Sequence, residues 1–144
     1  MSEISTSILN VNEENSMKVF YDLETAKTDM YHIDVMDGIF VKNSTTKKMF
    51  TYANNIKKMS NLPLDIHLMV QNPIEYIDDY IALEPGYITV HREVYDDISE
   101  LKKIVTEIKN NDIKVRDCYK AKYGYRWNIR YNCICKFSFS NDSR

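Results

Sequence analysis

The sequence predicts an α/β fold in which short strands alternate with helices around a parallel sheet. Four stretches with strand-like apolar residues are each followed by a stretch in which apolar residues have helical spacing. Units of this kind, repeated in this order, place successive strands parallel in one sheet with helices packed on it. The chain has 144 residues, which is enough for one domain with a substantial core and too few for two.

The predicted elements follow one another closely along the chain. Strands are expected at residues 4–9, 31–36, 64–70 and 87–91, and residues 113–115 begin a fifth strand. Helices are expected at about 13–27 and 47–59, from Asn72-Pro73 onward, and at about 96–110. Asn72 is the expected N-cap of the third helix and Pro73 its first residue. Met17, Phe20, Tyr21 and Leu23 have mostly helical spacing in the first helix. The third helix is expected to have a buried stripe of Ile74, Ile77, Tyr80 and Ile81.

The pattern and the charge balance both change near residue 115. Residues 1–115 have a net charge of −7, whereas residues 116–144 have a net charge of +5 and contain all three cysteines. We therefore expect a domain at 1–115 and a divergent tail at 116–144 that is frameshifted or disordered. Cys133 and Cys135 lack the spacing of a zinc knuckle, and no other feature favours a disulfide framework. The cysteines are expected to be incidental.

Composition excludes several classes of partner. The whole chain has a formal net charge of −2, which does not favour binding to nucleic acid or to an anionic membrane. The basic and aromatic residues of the tail contain no recognisable nucleic-acid-binding motif. No apolar run approaches the roughly 20 residues that cross a bilayer, and the first residues do not have the pattern of a signal peptide. A cytoplasmic protein is expected.

Alternation along the second and third strands brings polar residues to one face. His32, Asp34 and Met36 share a face of the second strand, and His67 and Met69 share a face of the third. The opposite, apolar faces would pack against the helices, so these residues would point into the interior of a barrel. Ionisable groups there are costly unless they are paired or bound to a metal.

Two interpretations of these polar residues stay open on the pattern alone. His32, Asp34 and His67 would together suit a divalent zinc, iron, manganese or cobalt ion. Alternatively, His32 and Asp34 form a hydrogen-bonded pair in the core and His67 is unrelated to them. The occurrence of the same His and Met spacing on two strands favours the metal site.

Three further residues have less certain assignments. His91 and Glu93 lie at the end of the fourth strand, where the active-site loops of parallel barrels begin, so they either line a pocket or lie on the surface. Asp37 has the opposite parity to Asp34 and is expected to cap or orient a loop.

Two long motifs resemble those of a known enzyme family. HIDVMDGIFVKN at 32–43 and LDIHLMVQNPIEYI at 64–77 resemble the two signature motifs of the ribulose-phosphate 3-epimerases. SIL at 7–9 and YITVHRE at 87–93 fit the first and fourth strands of that family, and the resemblance covers about residues 4–115. It implies an incomplete (β/α)8 TIM barrel with four βα units and the start of a fifth strand.

The resemblance also implies a reaction and a set of site residues. The family interconverts D-ribulose 5-phosphate and D-xylulose 5-phosphate by proton abstraction through an enediolate, as part of pentose phosphate metabolism. By resemblance, His32, Asp34 and His67 are ligands of one divalent metal ion, and Asp34 is also a catalytic acid/base. Ser7, His67, Met36 and Met69 would contact the phosphorylated ketose substrate.

Parts of this machinery are missing from the sequence. Inversion at a carbon next to a ketone needs an acid/base on each face, and Asp34 serves only one. The glycine-rich phosphate loop and a later aspartate, which the family uses as fourth ligand and second acid/base, are absent. We therefore expect this truncated chain to be inactive alone, and its open half-barrel edges to favour self-association or aggregation. The alternatives are a hexulose-phosphate (allulose 6-phosphate) 3-epimerase and a non-catalytic half-barrel binding or scaffold protein.

Overall fold

The computed structural model describes residues 3–120 and 133–136, and these form one sheet with helices on one face. The strands are β1 (Ser5–Ser7), β2 (Met30–Met36), β3 (Leu64–Met69), β4 (Tyr87–His91), β5 (Lys114–Lys120) and β6 (Cys133–Lys136). They lie in chain order; β1 to β5 are parallel, and β6 is antiparallel to β5. The parallel strands and the helices between them confirm the predicted α/β fold, which matches part of a (β/α)8 barrel.

Four helices connect the parallel strands. They are α1 (Ser16–Thr25), α2 (Thr46–Met59), α3 (Ile74–Ile81) and α4 (Ile98–Asn110). Short 3-10 turns at Glu13–Asn15 and Arg92–Val94 precede α1 and follow β4. The predicted boundaries of β2, β3, β4 and α2 are within one residue of those observed.

The apolar faces of the strands and the helices build a common core. The core includes Ile33 and Val35 of β2, Ile66 and Leu68 of β3, and the buried helix residues Phe20, Met49, Tyr52, Ile56, Ile77, Tyr80, Leu101, Ile104 and Ile108. Tyr31 spans β2 and α1, because its hydroxyl donates a 2.7 Å hydrogen bond to the carbonyl of Phe20. The predicted strand parity is confirmed, and the polar residues of β2 and β3 occupy the face opposite the helices.

Two predicted details of α3 are wrong. Ile74 is exposed, although it has helical spacing with the buried Ile77 and Tyr80, and Met17 and Tyr21 of α1 are exposed as well. Helical spacing identifies a face of the helix, but it does not show how far the sheet extends beneath that face. Asn72 makes no side-chain cap on α3, whose N-cap is Pro73; its amide instead donates to Glu75 Oε1 at 2.8 Å.

The fifth strand continues beyond the predicted boundary at residue 115. Arg116 and Cys118 belong to β5 and lie opposite Thr89 and His91 of β4. The expectation that the cysteines are incidental is wrong for Cys118, which is buried and disulfide-bonded and lies opposite Cys135 in the strand register. These positions depend on the pairing of strands that are distant in the sequence. The local spacing of residue types does not show that pairing. The rest of the predicted tail, at 121–132 and 137–144, lies outside the described residues, and its frameshifted or disordered character stays a prediction.

Among the described residues, no helix is both long enough and apolar enough to cross a lipid bilayer.

Candidate metal centre

The three predicted metal ligands lie side by side on neighbouring strands. His32 and Asp34 are on β2, and the parallel register places Asp34 directly opposite His67 on β3. Because alternate residues of a strand share a face, all three side chains project from the face opposite the helices. One donor atom from each residue lies within 4.8 Å of the other two.

The donor atoms converge on one oxygen of Asp34. His32 Nε2 is 3.1 Å from Asp34 Oδ1, and His67 Nδ1 is 3.6 Å from the same oxygen. Ligand atoms of a tetrahedral site with metal bonds of about 2.0 to 2.1 Å are separated by about 3.3 to 3.4 Å. Two imidazole nitrogens and a carboxylate at these separations fit one divalent ion, although among the described residues they provide only three protein ligands.

The second nitrogen of each histidine is held away from the cluster. His32 Nδ1 is 3.0 Å from Asp65 Oδ2, and His67 Nε2 is 2.9 Å from His91 Nε2. Metal-binding histidines usually have their other nitrogen held in this way, which fixes the orientation of the ring. This arrangement leaves His32 Nε2 and His67 Nδ1 for the cluster, and it supports the metal-site interpretation over an isolated His–Asp pair.

Asp65 is the most deeply buried carboxylate near the cluster, with 2% of the residue exposed. Ser5 Oγ donates to its Oδ2 at 2.8 Å, and Arg116 Nη1 donates to its Oδ1 at 2.8 Å. The guanidinium of Arg116 lies 3.8 Å from the ring centroid of Tyr87, where a cation–π interaction supports it.

Charges in the cluster shift the ionisation of its members. Burial alone would lower the pKa of His32, but hydrogen bonds to Asp34 and Asp65 outweigh it and raise the pKa to about 9. Burial would raise the pKa of Asp34, but its contacts with His32 and His67 and the charge of His32 hold it well below its usual range. Asp65 shows the same balance: burial raises its pKa, but its contacts with His32, Ser5 and Arg116 have the larger effect and lower the pKa overall. Without a metal, the centre therefore holds a protonated His32 between two carboxylates.

The other predicted site residues surround this cluster. Ser7 Oγ donates to Asp34 Oδ2 at 2.8 Å, so the two oxygens of Asp34 have different partners. Met36 and Met69 lie opposite each other at the ends of β2 and β3, where they pack with Val41 in a small apolar cluster.

His91 is buried at the end of β4. Its ring stacks on that of His67 with centroids 5.1 Å apart, and the centroid of the Phe40 ring is 4.9 Å from that of His91. Glu93 Oε1 is 3.7 Å from His91 Nδ1, which is beyond hydrogen-bond distance. His91 therefore lines the site, and the alternative in which it lies on the surface is wrong.

Asp37 joins two loops that border the site. Its Oδ1 accepts hydrogen bonds from the backbone of Ile39 and Phe40, and its Oδ2 accepts one from Gln71 N at 2.6 Å. Burial raises the pKa of Asp37, and these backbone donors lower it overall. The side chain orients loops, as its strand parity predicts.

Comparison with known protein families identifies the family of the chain. A model described as the ribulose-phosphate 3 epimerase family matches residues 3–123. The chain belongs to this family. The match includes β1 to β5 and all four helices, and it extends past residue 115.

Curated ribulose-phosphate 3-epimerases resemble the chain over part of their length. The chain is 35% identical to the chloroplastic ribulose-5-phosphate-3-epimerase of Arabidopsis thaliana over 107 residues, which are 74% of this chain and 37% of that protein. It is 32% identical to the ribulose-phosphate 3-epimerase of Bacillus subtilis over 114 residues, 79% of this chain and 50% of that protein. The enzyme of Chlamydia pneumoniae is 40% identical over 79 residues, 55% of this chain and 34% of that protein. The chain thus spans half or less of the length of these relatives.

Sequence reasoning missed the roles of Asp65 and Arg116. Parity alone places Asp65 on the same face as His67, but its contact with His32 depends on the register between β2 and β3. Arg116 was assigned to the divergent tail, and its position becomes visible only when β5 pairs with β4.

Proposed function

We propose that the chain carries part of a metal-dependent ribulose-phosphate 3-epimerase site in which Asp34 exchanges a proton with the substrate. The observation that supports this most is the convergence of His32 Nε2, His67 Nδ1 and Asp34 Oδ1 within the two motifs that resemble the family signatures. In this proposal the metal is zinc, iron, manganese or cobalt, and the chain acts in pentose phosphate metabolism in the cytoplasm.

The two oxygens of Asp34 have separate tasks. Oδ1 faces both imidazoles and serves as the metal ligand, together with His32 and His67. Oδ2 accepts a hydrogen bond from Ser7 and is the oxygen that takes the C3 proton of the ketose phosphate. A bound divalent ion supplies Lewis-acid stabilisation of the negative charge that develops on the substrate oxygens. Ser7 keeps Oδ2 oriented, while Met36 and Met69 give the substrate an apolar contact surface.

One carboxylate on one face limits what this chain does alone. Removal and return of the C3 proton on the face of Asp34 exchanges hydrogen with solvent, whereas inversion needs a second acid/base on the other face. In the described residues, the metal cluster contains one carboxylate, that of Asp34. We therefore propose that the isolated chain exchanges the C3 proton and does not complete the epimerisation.

Nuclear magnetic resonance in deuterium oxide tests this proposal. Zinc-loaded chain incubated with D-ribulose 5-phosphate is expected to incorporate deuterium at C3 without forming D-xylulose 5-phosphate. Asp34→Asn removes the proton acceptor and should abolish the exchange, typically a loss of at least about 100-fold. Asp22→Asn, a change at an exposed carboxylate of α1, is the matched control and should exchange at the wild-type rate.

Two outcomes would contradict the proposal. One is a folded, zinc-loaded chain that shows no exchange above the zinc-only background, and the other is exchange that persists in Asp34→Asn. Parallel incubation with D-allulose 6-phosphate distinguishes the hexulose-phosphate alternative, which predicts faster exchange of that substrate.

A further inference from the structure

The buried carboxylate of Asp65 has a separate partner set on each oxygen. Oδ2 faces His32 Nδ1 at 3.0 Å and accepts from Ser5 Oγ, while Oδ1 accepts from Arg116 Nη1. The side chain of Asp65 is 2% exposed and that of Arg116 is 18% exposed. A carboxylate this deeply buried is costly unless each oxygen is compensated, and here both are.

The position of Asp65 relative to His32 determines the proton on the imidazole. A carboxylate only accepts hydrogen bonds, so His32 Nδ1 must donate to Asp65. His32 Nε2 faces the carboxylate of Asp34, so it also holds a proton while the centre has no metal. A metal at Nε2 replaces only that proton, and Asp65 keeps the remaining proton on Nδ1, which leaves the lone pair of Nε2 for the metal.

We propose that Asp65 is a positioning residue that fixes the metal-binding tautomer of His32, and that Arg116 locks the orientation of Asp65. This inference rests on the metal centre of the proposed function. It assigns a role to Arg116 of β5, which is not one of the three proposed metal ligands.

An amide in place of the carboxylate makes the role of Arg116 visible. In Asp65→Asn, only one side-chain atom accepts hydrogen bonds, and the other donates. Arg116 donates and cannot face the amide nitrogen, so the oxygen turns to Arg116 and the nitrogen turns to His32 Nδ1. His32 then accepts at Nδ1 and carries its proton at Nε2, which opposes metal binding.

Removing Arg116 releases this constraint. In the double variant Asp65→Asn with Arg116→Met, the amide is free to turn its oxygen to His32 Nδ1 and restore the binding tautomer. Arg116→Met alone leaves the carboxylate facing His32. A structural role of Asp65 limited to packing predicts no such recovery.

Competition with a chromogenic chelator measures the zinc affinity of each variant. Asp65→Asn is expected to bind zinc about 10- to 100-fold more weakly than the wild type. Arg116→Met should stay within about threefold of the wild type, and the double variant should recover to within about threefold of Arg116→Met. Strictly additive losses in the double variant would overturn the role of Arg116.

A second readout does not need metal or activity. Long-range proton–nitrogen spectra of the metal-free protein show which nitrogens of His32 carry a proton. Both nitrogens are expected to be protonated in the wild type, because each faces a carboxylate, and only Nε2 in Asp65→Asn. A proton on Nδ1 of Asp65→Asn would overturn the role of Asp65.

The controls separate this inference from the proposed function. A wild type that binds no zinc would overturn the metal centre itself, whereas equal zinc affinity of wild type and Asp65→Asn would overturn only the positioning role. If Asp65→Asn does not fold, Asp65→Leu with Arg116→Met removes both buried charges together and is expected to fold. That pair leaves His32 Nδ1 without its acceptor and should bind zinc about 10- to 100-fold more weakly than Arg116→Met, and equal binding would overturn the inference.

Discussion

At the scale of single residues, the protonation of His32 is as important to the centre as the distances between its side chains. Protonated His32 lies between the carboxylates of Asp34 and Asp65, with its two nitrogens 3.1 and 3.0 Å from their oxygens. The nitrogen that a metal would use is therefore the one that holds a proton against Asp34. Metal binding must displace that proton, because only the unprotonated nitrogen has a lone pair to donate.

Zinc binding should consequently depend on pH. Because the pKa of His32 is raised to about 9, its imidazole is protonated at neutral pH, and this proton competes with zinc for the nitrogen. Apparent zinc affinity is expected to rise by about tenfold per pH unit up to about pH 9 and to level off above it. Chelator competition between pH 6.5 and 8.5 checks the slope, and titration in a weak buffer should release about one proton per zinc. An affinity independent of pH in that interval would contradict the assignment of His32.

The sequence was sufficient for some of these residues and not for others. His32, Asp34 and His67 could be predicted because strand parity is local and their types suit a metal. Asp65 has the same parity, yet its role depends on the register that places it opposite His32. Arg116 required the pairing of β5 with β4, which no local pattern near residue 116 indicates.

At the scale of elements, the two loops after β2 and β3 are tied together by one side chain. Asp37 accepts backbone hydrogen bonds from its own loop and from Gln71 in the loop after β3. Gly38 follows with a φ of +79°, a conformation that glycine adopts without strain. These loops flank Met36 and Met69 at the ends of the strands, the residues that we propose contact the substrate.

Loss of this connection should destabilise the fold without affecting the metal ligands directly. Asp37→Ala removes all three hydrogen bonds and is expected to lower the free energy of unfolding by about 1 to 2 kcal/mol, since the carboxylate is partly exposed. Asp37→Asn keeps one acceptor oxygen, so its free energy of unfolding should fall by less than that of Asp37→Ala. Denaturant unfolding of the metal-free variants measures both, and an Asp37→Ala variant as stable as the wild type would contradict the role of this tie.

Several element boundaries follow closely from the sequence. The observed limits of β2, β3, β4 and α2 agree with the predicted ones within one residue. The predicted burial of Ile74 is wrong, because this residue lies in the exposed first turn of α3, as Met17 does in α1. The periodicity of apolar residues does not show which helical turns the sheet covers.

At the scale of the whole molecule, the two faces of the sheet differ in composition. Its apolar face and the four helices form the larger core, while the opposite face carries His32, Asp34 and His67, which could hold a metal ion. The chain spans between about a third and a half of the relatives named above. The family and the partial barrel follow from the described residues, whereas the epimerisation reaction stays a proposal.

The central claim is that β2 and β3 together form one metal site. Equilibrium dialysis with zinc, followed by metal analysis, tests it most directly in the wild type and in His67→Ala, with Asp22→Asn as control. The wild type and the control are expected to bind one zinc per chain, as one donor cluster of His32, Asp34 and His67 predicts. His67→Ala removes a ligand and should weaken binding by about 100-fold or more. Folded His67→Ala that binds zinc as tightly as the wild type would contradict the claim.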